Sequence, residues 1–277
     1  MGTVVSMINM KGGVGKTNLA FQLAWFSAYK RNFKVLVVDL DPQSNSSHCL
    51  MGAKTYMEFI ENGGITVYDI FEQYSTPNAK VLKKHEAIYK LHAWNDGSLI
   101  HLIPSRLELY WTLKNPTGKD HLLKKYLDAL KNDYDLIIID CAPTESILTT
   151  SAYHATDFIL IPVKPEFLAA IGLPLLVKSL LYYNTSYGQQ HFEIAGIVFN
   201  DADASQSKPE HNLSRKQVTT LAEEHGWHVF ENEVRHSDSY PKSCRETTPI
   251  FHTKHSREYV IDEFINFGNE FLERIGI

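Results

Sequence analysis

The sequence predicts an α/β protein with one doubly wound, mainly parallel β-sheet and helices on both of its faces. Short apolar runs alternate along the chain with helical patterns, which is typical of parallel strands joined by crossover helices. Several of these runs are apolar throughout, as expected for strands that are buried on both faces. Neither an internal repeat nor a low-complexity linker interrupts the 277 residues, so we expect a single domain over 1–277.

The composition excludes several classes of protein. A hydrophobic content of 44% is sufficient for a large core, and the net charge of −5 rules out a polycation, so nucleic-acid binding would need a local basic patch. The three cysteines are far apart and form no C-x-x-C motif, which argues against a zinc ribbon or a disulfide framework and fits a reducing cytosol. We read neither a signal peptide nor a membrane-spanning run, and therefore expect a cytoplasmic protein without a membrane partner.

The first element carries the strongest functional signal. An apolar, β-branched run over 3–8 predicts a strand, a turn rich in glycine follows it, and a helical pattern extends from 16 to about 29. Glycines allow backbone N–H groups to approach phosphate oxygens without a Cβ in the way. The N-terminus of the helix directs further N–H groups at the same anion. Strand, glycine loop and helix together predict a phosphate-binding P-loop.

The residues of this loop have separate expected roles. Lys16 would reach the β- and γ-phosphates of a nucleotide, and the Thr17 hydroxyl would bind Mg²⁺. P-loops often have a second hydroxyl residue directly after this threonine, and here that residue is Asn18. The amide of Asn18 can still form a hydrogen bond with the α-phosphate. The other residues predicted to bind nucleotide are Gly12, Gly13, Val14 and Gly15.

The loop departs from the usual G-x-x-x-x-G-K-[ST] pattern at its first glycine, where this chain has Met10. It reads instead Lys-Gly-Gly-Val-Gly-Lys-Thr from Lys11 to Thr17, and this resembles the deviant Walker A motif of the ParA/MinD family, K-G-G-x-G-K-[ST]. The resemblance implies the P-loop NTPase fold, with ATP and Mg²⁺ as cofactors. It also implies that Lys11 reaches across a dimer interface to the nucleotide of the partner.

The second predicted strand, 34–39, ends in Asp39, and Asp41 follows it within an Asp-x-Asp-Pro sequence. Ligands gather at the carboxyl ends of parallel strands, so both carboxylates should arrive near the bound phosphate. For Asp39, capping of the next helix is an equally good interpretation. Asp41 resembles the aspartate of the family's second motif, which implies that it positions or activates the attacking water.

The next part of the chain, 52–98, predicts a variable helical segment with short helices around 67–74 and 78–91. A third strand over 99–104 and a helix over 120–131 should follow.

The clearest buried strand, 135–140, ends in Asp140. This is the arrangement of a Walker B motif, in which the carboxylate faces the water shell of Mg²⁺. We therefore predict a metal site formed by Thr17, Asp41 and Asp140, with the carboxylates acting through water. The family usually continues Asp-x-Pro-Pro, whereas this chain has alanine at the first proline.

Two more strands are predicted over 157–163 and 192–200. After the first, Glu166 matches the glutamate of the family's Pro-Val-x-x-Glu stretch. Asn200, at the end of the second, resembles the residue that binds adenine in MinD-like relatives, although asparagine at a strand end is also an ordinary turn former. The remaining chain, 201–277, should add a C-terminal helical part packed on the sheet, with basic and acidic residues interleaved.

Taken over most of the chain, the resemblance to ParA/Soj-type partition ATPases implies an ATP-gated dimerisation switch. Its catalytic residues would be Lys11, Lys16 and Asp41. It implies a homodimer formed on ATP binding, non-specific DNA binding at the nucleoid, and a ParB-like partner that stimulates hydrolysis during plasmid or chromosome segregation. Because the P-loop begins almost at residue 1, we expect no helix-turn-helix extension and no sequence-specific operator binding.

Three alternatives were weighed against DNA segregation. The same switch could position another cargo, such as a protein complex or a secretion machine, and the sequence does not separate these functions. A MinD-like membrane regulator would need a basic C-terminal helix, but the chain over 258–277 has five acidic residues against Arg274. An iron–sulfur carrier of the nitrogenase iron-protein type would need a pair of cluster cysteines, and Cys141 lies within the Walker B motif instead.

Overall fold

The computed structural model describes residues 1–75, 81–166, 169–188, 191–202 and 209–277, without the side chains of 169–171. Over these ranges it contains one eight-stranded sheet. The strands are β1 (Thr3–Met7), β2 (Lys34–Leu40), β3 (Tyr89–Ala93), β4 (Leu99–Ile103), β5 (Leu136–Cys141), β6 (Phe158–Val163), β7 (Glu193–Ala202) and β8 (Val234–Arg235). Their order in the sheet is β3-β4-β2-β5-β1-β6-β7-β8.

Helices connect these strands and cover both faces of the sheet. They are α1 (Lys16–Trp25), continued by a π-helical turn over Phe26–Lys30, α2 (Asn45–Met51), α3 (Ala53–Glu61), α4 (Val67–Glu72), α5 (Leu109–Lys114), α6 (Leu122–Leu130), α7 (Ile147–Ala155), α8 (Ala169–Tyr187), α9 (Pro209–Glu224), α10 (Ser239–Arg245) and α11 (Glu258–Arg274). Every strand pair is parallel except β3 with β4. The predicted fold class is confirmed.

The central strands are mostly apolar because both faces of the sheet are covered. In β5, Ile137 and Ile139 belong to the core beneath α4 to α9, whereas Leu136 and Ile138 belong to the core beneath α1, α2, α10 and α11. Side chains alternate between the two faces along a strand, so a run without polar residues is required when both faces are buried.

The strand register brings the carboxyl ends of β1, β2 and β5 together. Asp140 at the end of β5 lies beside Met7 of β1 and beside Asp39 of β2. The carboxyl ends of three adjacent strands therefore meet at one edge of the sheet. The loop after β1, the turn after β2 and the chain after β5 all leave from this edge.

The helix predicted over 78–91 is wrong where the structure describes it. Residues 76–80 lie outside the described part of the chain, turns occupy 84–87, and 89–93 form the edge strand β3. Tyr89 and Leu91 pack on the core while Lys90 and His92 are exposed. This alternation has the period of a strand, and pairing with β4 supplies the backbone hydrogen bonds that an isolated segment would lack.

The segment after β7 contains more than the predicted helices. It adds the two-residue strand β8 at the far edge of the sheet and the short helix α10. Helix α9 packs on one face of the sheet, and α10 and α11 pack on the other.

Candidate active site

A cleft of about 600 Å³ opens at the carboxyl edge of β1, β2 and β5. It is lined by the predicted loop residues from Gly12 to Asn18, by Asp41 and its two successors, and by the last residue of β5, Cys141, with the three residues after it. A second cavity of about 240 Å³, on the side of β7 and α10, shares Gly13, Gly15 and Asn18 with this cleft. The two cavities therefore flank the glycine loop.

The glycines of the loop have the conformation that the sequence requires of them. Gly13 and Gly15 have φ values of +74° and +85°, in the left-handed region. A Cβ on Gly15 would lie 2.0 Å from Nδ2 of Asn200. That same nitrogen donates a hydrogen bond of 2.7 Å to the carbonyl of Val14. Asn200 therefore supports the loop from below, and its contact with adenine stays a prediction.

Lys16 is held at the centre of the loop. Its ammonium donates hydrogen bonds to the carbonyl oxygens of Asn9 at 3.0 Å and Lys11 at 3.1 Å. Only 7% of the residue is exposed. Burial lowers the pKa of Lys16, and the nearby Asp140 carboxylate opposes this shift. The cation is thus fixed beside the loop amides before any ligand arrives.

Two of the three predicted metal ligands, Thr17 and Asp140, meet at the start of α1. One oxygen of Asp140, Oδ2, accepts hydrogen bonds of 2.7 Å from the hydroxyls of Thr17 and Ser46. Its other oxygen, Oδ1, is buried and has no hydrogen-bond partner among the residues that the structure describes. Burial raises the pKa of Asp140 to about 6, although the hydrogen bonds from Thr17 and Ser46 act to lower it. A hydroxyl and an unpaired carboxylate oxygen are the hard ligands that Mg²⁺ prefers, so this donor set fits the ion.

The two aspartates after β2 have different surroundings. Asp41 lines the cleft, and its Oδ1 accepts a hydrogen bond of 2.8 Å from the backbone N–H of Gln43. Asp39 is fully buried, and its Oδ2 accepts bonds of 2.7 Å from both the N–H and the hydroxyl of Ser47 in α2. Burial and the Asp140 carboxylate raise the pKa of Asp39 to about 8. Its contacts are those of a residue that anchors the helix, which is one of the two interpretations offered by the sequence.

Lys11 lies outside the lining of the cleft in the described chain. Its Nζ forms a salt bridge of 3.3 Å with Glu166, in the loop after β6. Glu166 also pairs with Lys164 at 2.7 Å, and Lys164 in turn pairs with Asp201 at 2.8 Å. This single chain thus holds Lys11 within a small charge network, and its reach into a partner subunit stays a prediction.

Several residues that shape the site were not identified from the sequence. Asn9 donates from Nδ2 to the carbonyl of Pro162 at 2.7 Å and accepts the N–H of Lys11 at 2.9 Å. Ser46 and Ser47 bond to the carboxylates of β5 and β2. A polar residue between an apolar strand and a glycine loop, and a Ser-Ser pair after Asp-x-Asp-Pro, are the signals that could have revealed them.

These features define a class of protein. A glycine loop after a parallel strand, a buried lysine and a threonine at the start of a helix, and a carboxylate from the adjacent strand are the parts of a P-loop nucleotide-binding site. Comparison with known proteins identifies the family. A family model described as an AAA domain matches residues 2–193.

Two bacterial relatives narrow this assignment. The chain is 31% identical over 223 residues to the chromosome-partitioning ATPase Soj of Treponema pallidum, covering 79% of each protein. It is 34% identical over 180 residues to the sporulation initiation inhibitor protein Soj of Bacillus subtilis, covering 65% of each. The chain therefore belongs to the ParA/Soj family of partition ATPases.

Solved structures agree with the fold. A Cyanothece McdA variant in complex with ATP matches with a TM-score of 0.81 at 20% identity, over 100% of this chain and 97% of that one. A plasmid partition protein of Borrelia burgdorferi bound to AMPPNP matches with a TM-score of 0.71 at 21% identity, over 99% and 100%. Within the described ranges, no helix combines the length and the apolar character needed to cross a membrane.

Proposed function

We propose that this chain hydrolyses Mg²⁺-bound ATP as a dimerisation switch that binds DNA without sequence specificity and segregates a plasmid or chromosome together with a ParB-like partner. The observation that carries the proposal is the convergence of Lys16, Thr17 and Asp140 on one glycine loop. The family membership supports it, since the named relatives include a chromosome-partitioning ATPase.

The positive groups that bind the triphosphate are already fixed around the glycine loop. Loop N–H groups and the Lys16 ammonium face the phosphates, where fixed donors stabilise negative charge without reorganising. Thr17 and Asp140, with Asp41 nearby, would hold Mg²⁺, which neutralises charge on the β- and γ-phosphates when it is bound. The cavity beside Asn200 supports placement of the nucleoside there, because Gly13, Gly15 and Asn18 of the loop line it.

Hydrolysis is assigned to Asp41. Its carboxylate lies in the cleft, with one oxygen fixed by the N–H of Gln43. It orients a water molecule for in-line attack on the γ-phosphorus, and the bond to the bridging oxygen breaks to release ADP and phosphate.

The switch depends on Lys11. In the dimer this lysine leaves Glu166 and contacts the nucleotide of the partner. The salt bridge is partly exposed, with 20% and 40% of the two side chains accessible, so releasing it costs at most about 1 kcal/mol. Loss of the γ-phosphate removes the group that both subunits hold, and the dimer separates.

DNA contact is assigned to helix α10. The chain has a net charge of −5, so binding requires a local basic patch. Arg215 and Arg235 are engaged in salt bridges with glutamates. Lys242 and Arg245 in α10 form no salt bridge within the described chain, and their helix lines the cavity beside the loop. This position links the patch to the state of the nucleotide.

The ATPase part of the proposal is tested with two substitutions and their matched controls. Lys16→Ala should abolish ATP binding, and Asp41→Ala should retain ATP while trapping a stable dimer. The controls are Lys54→Ala, at a side chain that is 90% exposed, and Asp238→Ala, at a fully exposed one. Tight ATP binding by Lys16→Ala would contradict the site, and unchanged turnover by Asp41→Ala would remove its catalytic role.

DNA binding is tested by gel shift with ATP, ADP and no nucleotide over a range of salt concentrations. Binding should require ATP and should fall steeply with salt. Replacing Lys242 and Arg245 with alanine should reduce the slope of log K against log salt by about 1.8 for each subunit in contact with DNA, because each phosphate contact contributes roughly 0.9. Replacing Lys124 and Lys125 on α6 is the control. Equal DNA affinity with ATP and without nucleotide would contradict the switch.

A further inference from the structure

Two histidines and an aspartate meet where α6 and α7 pack together. Asp120 and His121 lie in the turn before α6, and His154 lies in the last turn of α7. Oδ2 of Asp120 is 3.8 Å from Nε2 of His121 and 4.0 Å from Nε2 of His154. All three ligand atoms lie within 4.8 Å of one another. None of these residues lines the nucleotide cleft.

His154 is the central residue of this cluster. Its side chain is 7% exposed. Nδ1 lies 2.9 Å from the hydroxyl of Tyr183 in α8, which fixes the orientation of the ring. Nε2 is buried and has no hydrogen-bond partner in the part of the chain that the structure describes. A buried nitrogen without a partner is costly, so its retention needs an explanation.

Aromatic packing explains the burial but not the unpaired nitrogen. The rings of His121 and His154 lie 3.9 Å apart between centroids, and Tyr187 meets His154 edge-on at 4.7 Å. Ring packing of this kind buries apolar surface but provides no hydrogen bond for Nε2. A phenylalanine at position 154 would serve it equally, without leaving Nε2 beside a carboxylate.

We propose that Asp120, His121 and His154 bind a divalent transition metal of the Zn²⁺ type. Two imidazole nitrogens and one carboxylate oxygen are a zinc-type ligand set, with the fourth position left to water. Bonds of about 2.0–2.1 Å place tetrahedral ligands about 3.3 Å apart. The two nitrogens must therefore approach Oδ2 of Asp120 by about 0.5 and 0.7 Å, and each other by up to about 1.5 Å. The His121 side chain, 63% exposed, can supply the changes that involve it, and the Asp120 side chain, 23% exposed, supplies the approach to His154.

The contact with Tyr183 gives the site its outer support. Metal-bound histidines usually use their second ring nitrogen in a hydrogen bond that fixes the tautomer. Here that bond comes from α8, so a bound ion would join α6, α7 and α8 on one face of the sheet. The bound ion would therefore stabilise the packing of these helices. This proposal does not depend on the function proposed for the nucleotide cleft.

The test is calorimetric titration of Zn²⁺ into chelator-treated protein, without nucleotide and in excess Mg²⁺ to occupy hard-ligand sites. We expect one Zn²⁺ per chain and a rise in the midpoint of thermal unfolding. His121→Ala should weaken Zn²⁺ binding at least about 100-fold, and Tyr183→Phe about 10-fold, in the range seen for outer partners. His255→Ala, at another exposed histidine, should have no effect.

Co²⁺ provides a second readout that does not depend on stability. The native chain should show the intense visible absorption of a tetrahedral Co²⁺ site, and His121→Ala should lose it. Because His121 is exposed, this variant should fold, which its circular dichroism will verify. Equal Zn²⁺ affinity of the native chain and His121→Ala, or identical Co²⁺ spectra, would overturn the site.

Discussion

A buried ion pair allows a sharp test of how the segment after α2 is fixed to the sheet. Lys119, just before α6, donates a hydrogen bond of 2.5 Å to Oε1 of Glu72 in α4, and the Thr112 hydroxyl donates to the same oxygen at 2.8 Å. The two charged side chains are 7% and 19% exposed. Removing the Glu72 charge would leave the Lys119 ammonium buried without compensation.

The expected cost follows from this geometry. Breaking a buried ion pair by removing one partner costs about 3–5 kcal/mol. Glu72→Gln keeps one acceptor for Lys119, and Glu72 is not fully buried, so we expect a loss of about 2 kcal/mol in the free energy of unfolding at pH 7. The measurement is urea denaturation. Asp128→Asn in the exposed pair with Lys124 is the matched control and should cost no more than about 0.5 kcal/mol.

Two further arms identify the cause of this loss. The double variant Glu72→Gln/Lys119→Met should be more stable than Glu72→Gln alone, because no charge is then left buried. Burial acts to raise the pKa of Glu72, but hydrogen bonds from Lys119, Ser75 and Thr112 outweigh it and lower the pKa overall. Its stabilising effect is therefore present above the unfolded value of 4.5 and is lost as the pH falls below it. A double variant no more stable than the single one would refute the buried-charge explanation.

Three other outcomes follow from single contacts. Gly15→Ala should lower nucleotide affinity at least about 10-fold in a binding titration, because its Cβ would meet Asn200; Gly63→Ala, with a similar φ of +74° and open space, should not. Gln22→Leu should cost about 2 kcal/mol in urea unfolding, since it removes two buried hydrogen bonds from α1 to the C-terminal segment, and a cost near zero would contradict this. The raised pKa of Asp39 makes its ionisation destabilising as the pH rises from 3.8 towards about 8. Asp39→Asn should therefore gain stability relative to the native chain as the pH rises from 3.8 to about 8. A difference in the free energy of unfolding that stays constant over this range, measured without metal, would contradict this.

The central part of the fold was predictable because local and tertiary signals agree there. Strands β1, β2 and β5 are buried on both faces and are rich in apolar, β-branched residues, and α1 begins directly after its glycine loop. Gly13 and Gly15 adopt the left-handed conformation that only glycine occupies readily. In these elements one constraint, burial or backbone conformation, determines the residue type.

Elsewhere the structure depends on distant partners that no short window contains. Strand β8 has two residues and exists because β7 provides its pairing. The salt bridge from Lys11 to Glu166 joins residues 155 apart in sequence. Nothing in the sequence around Ser46 indicates a role for it, because its partner Asp140 comes from the distant strand β5. These contacts follow from the order of the strands, which the sequence pattern does not specify.

The face of the sheet on which Asp39 and Asp140 lie, however, follows from the alternation of side chains along a strand. Val35 and Val37 pack on the side of α1 and α2, so Asp39, two residues further along β2, must point to the same side. Leu136 and Ile138 fix Asp140 in the same way. Both side chains therefore aim at the first turns of α1 and α2, where Asp140 finds Thr17 and Asp39 finds Ser47. Inserting one residue within β5 would turn Asp140 to the opposite face and separate it from Thr17, so the nucleotide site depends on strand register as directly as on the glycine loop.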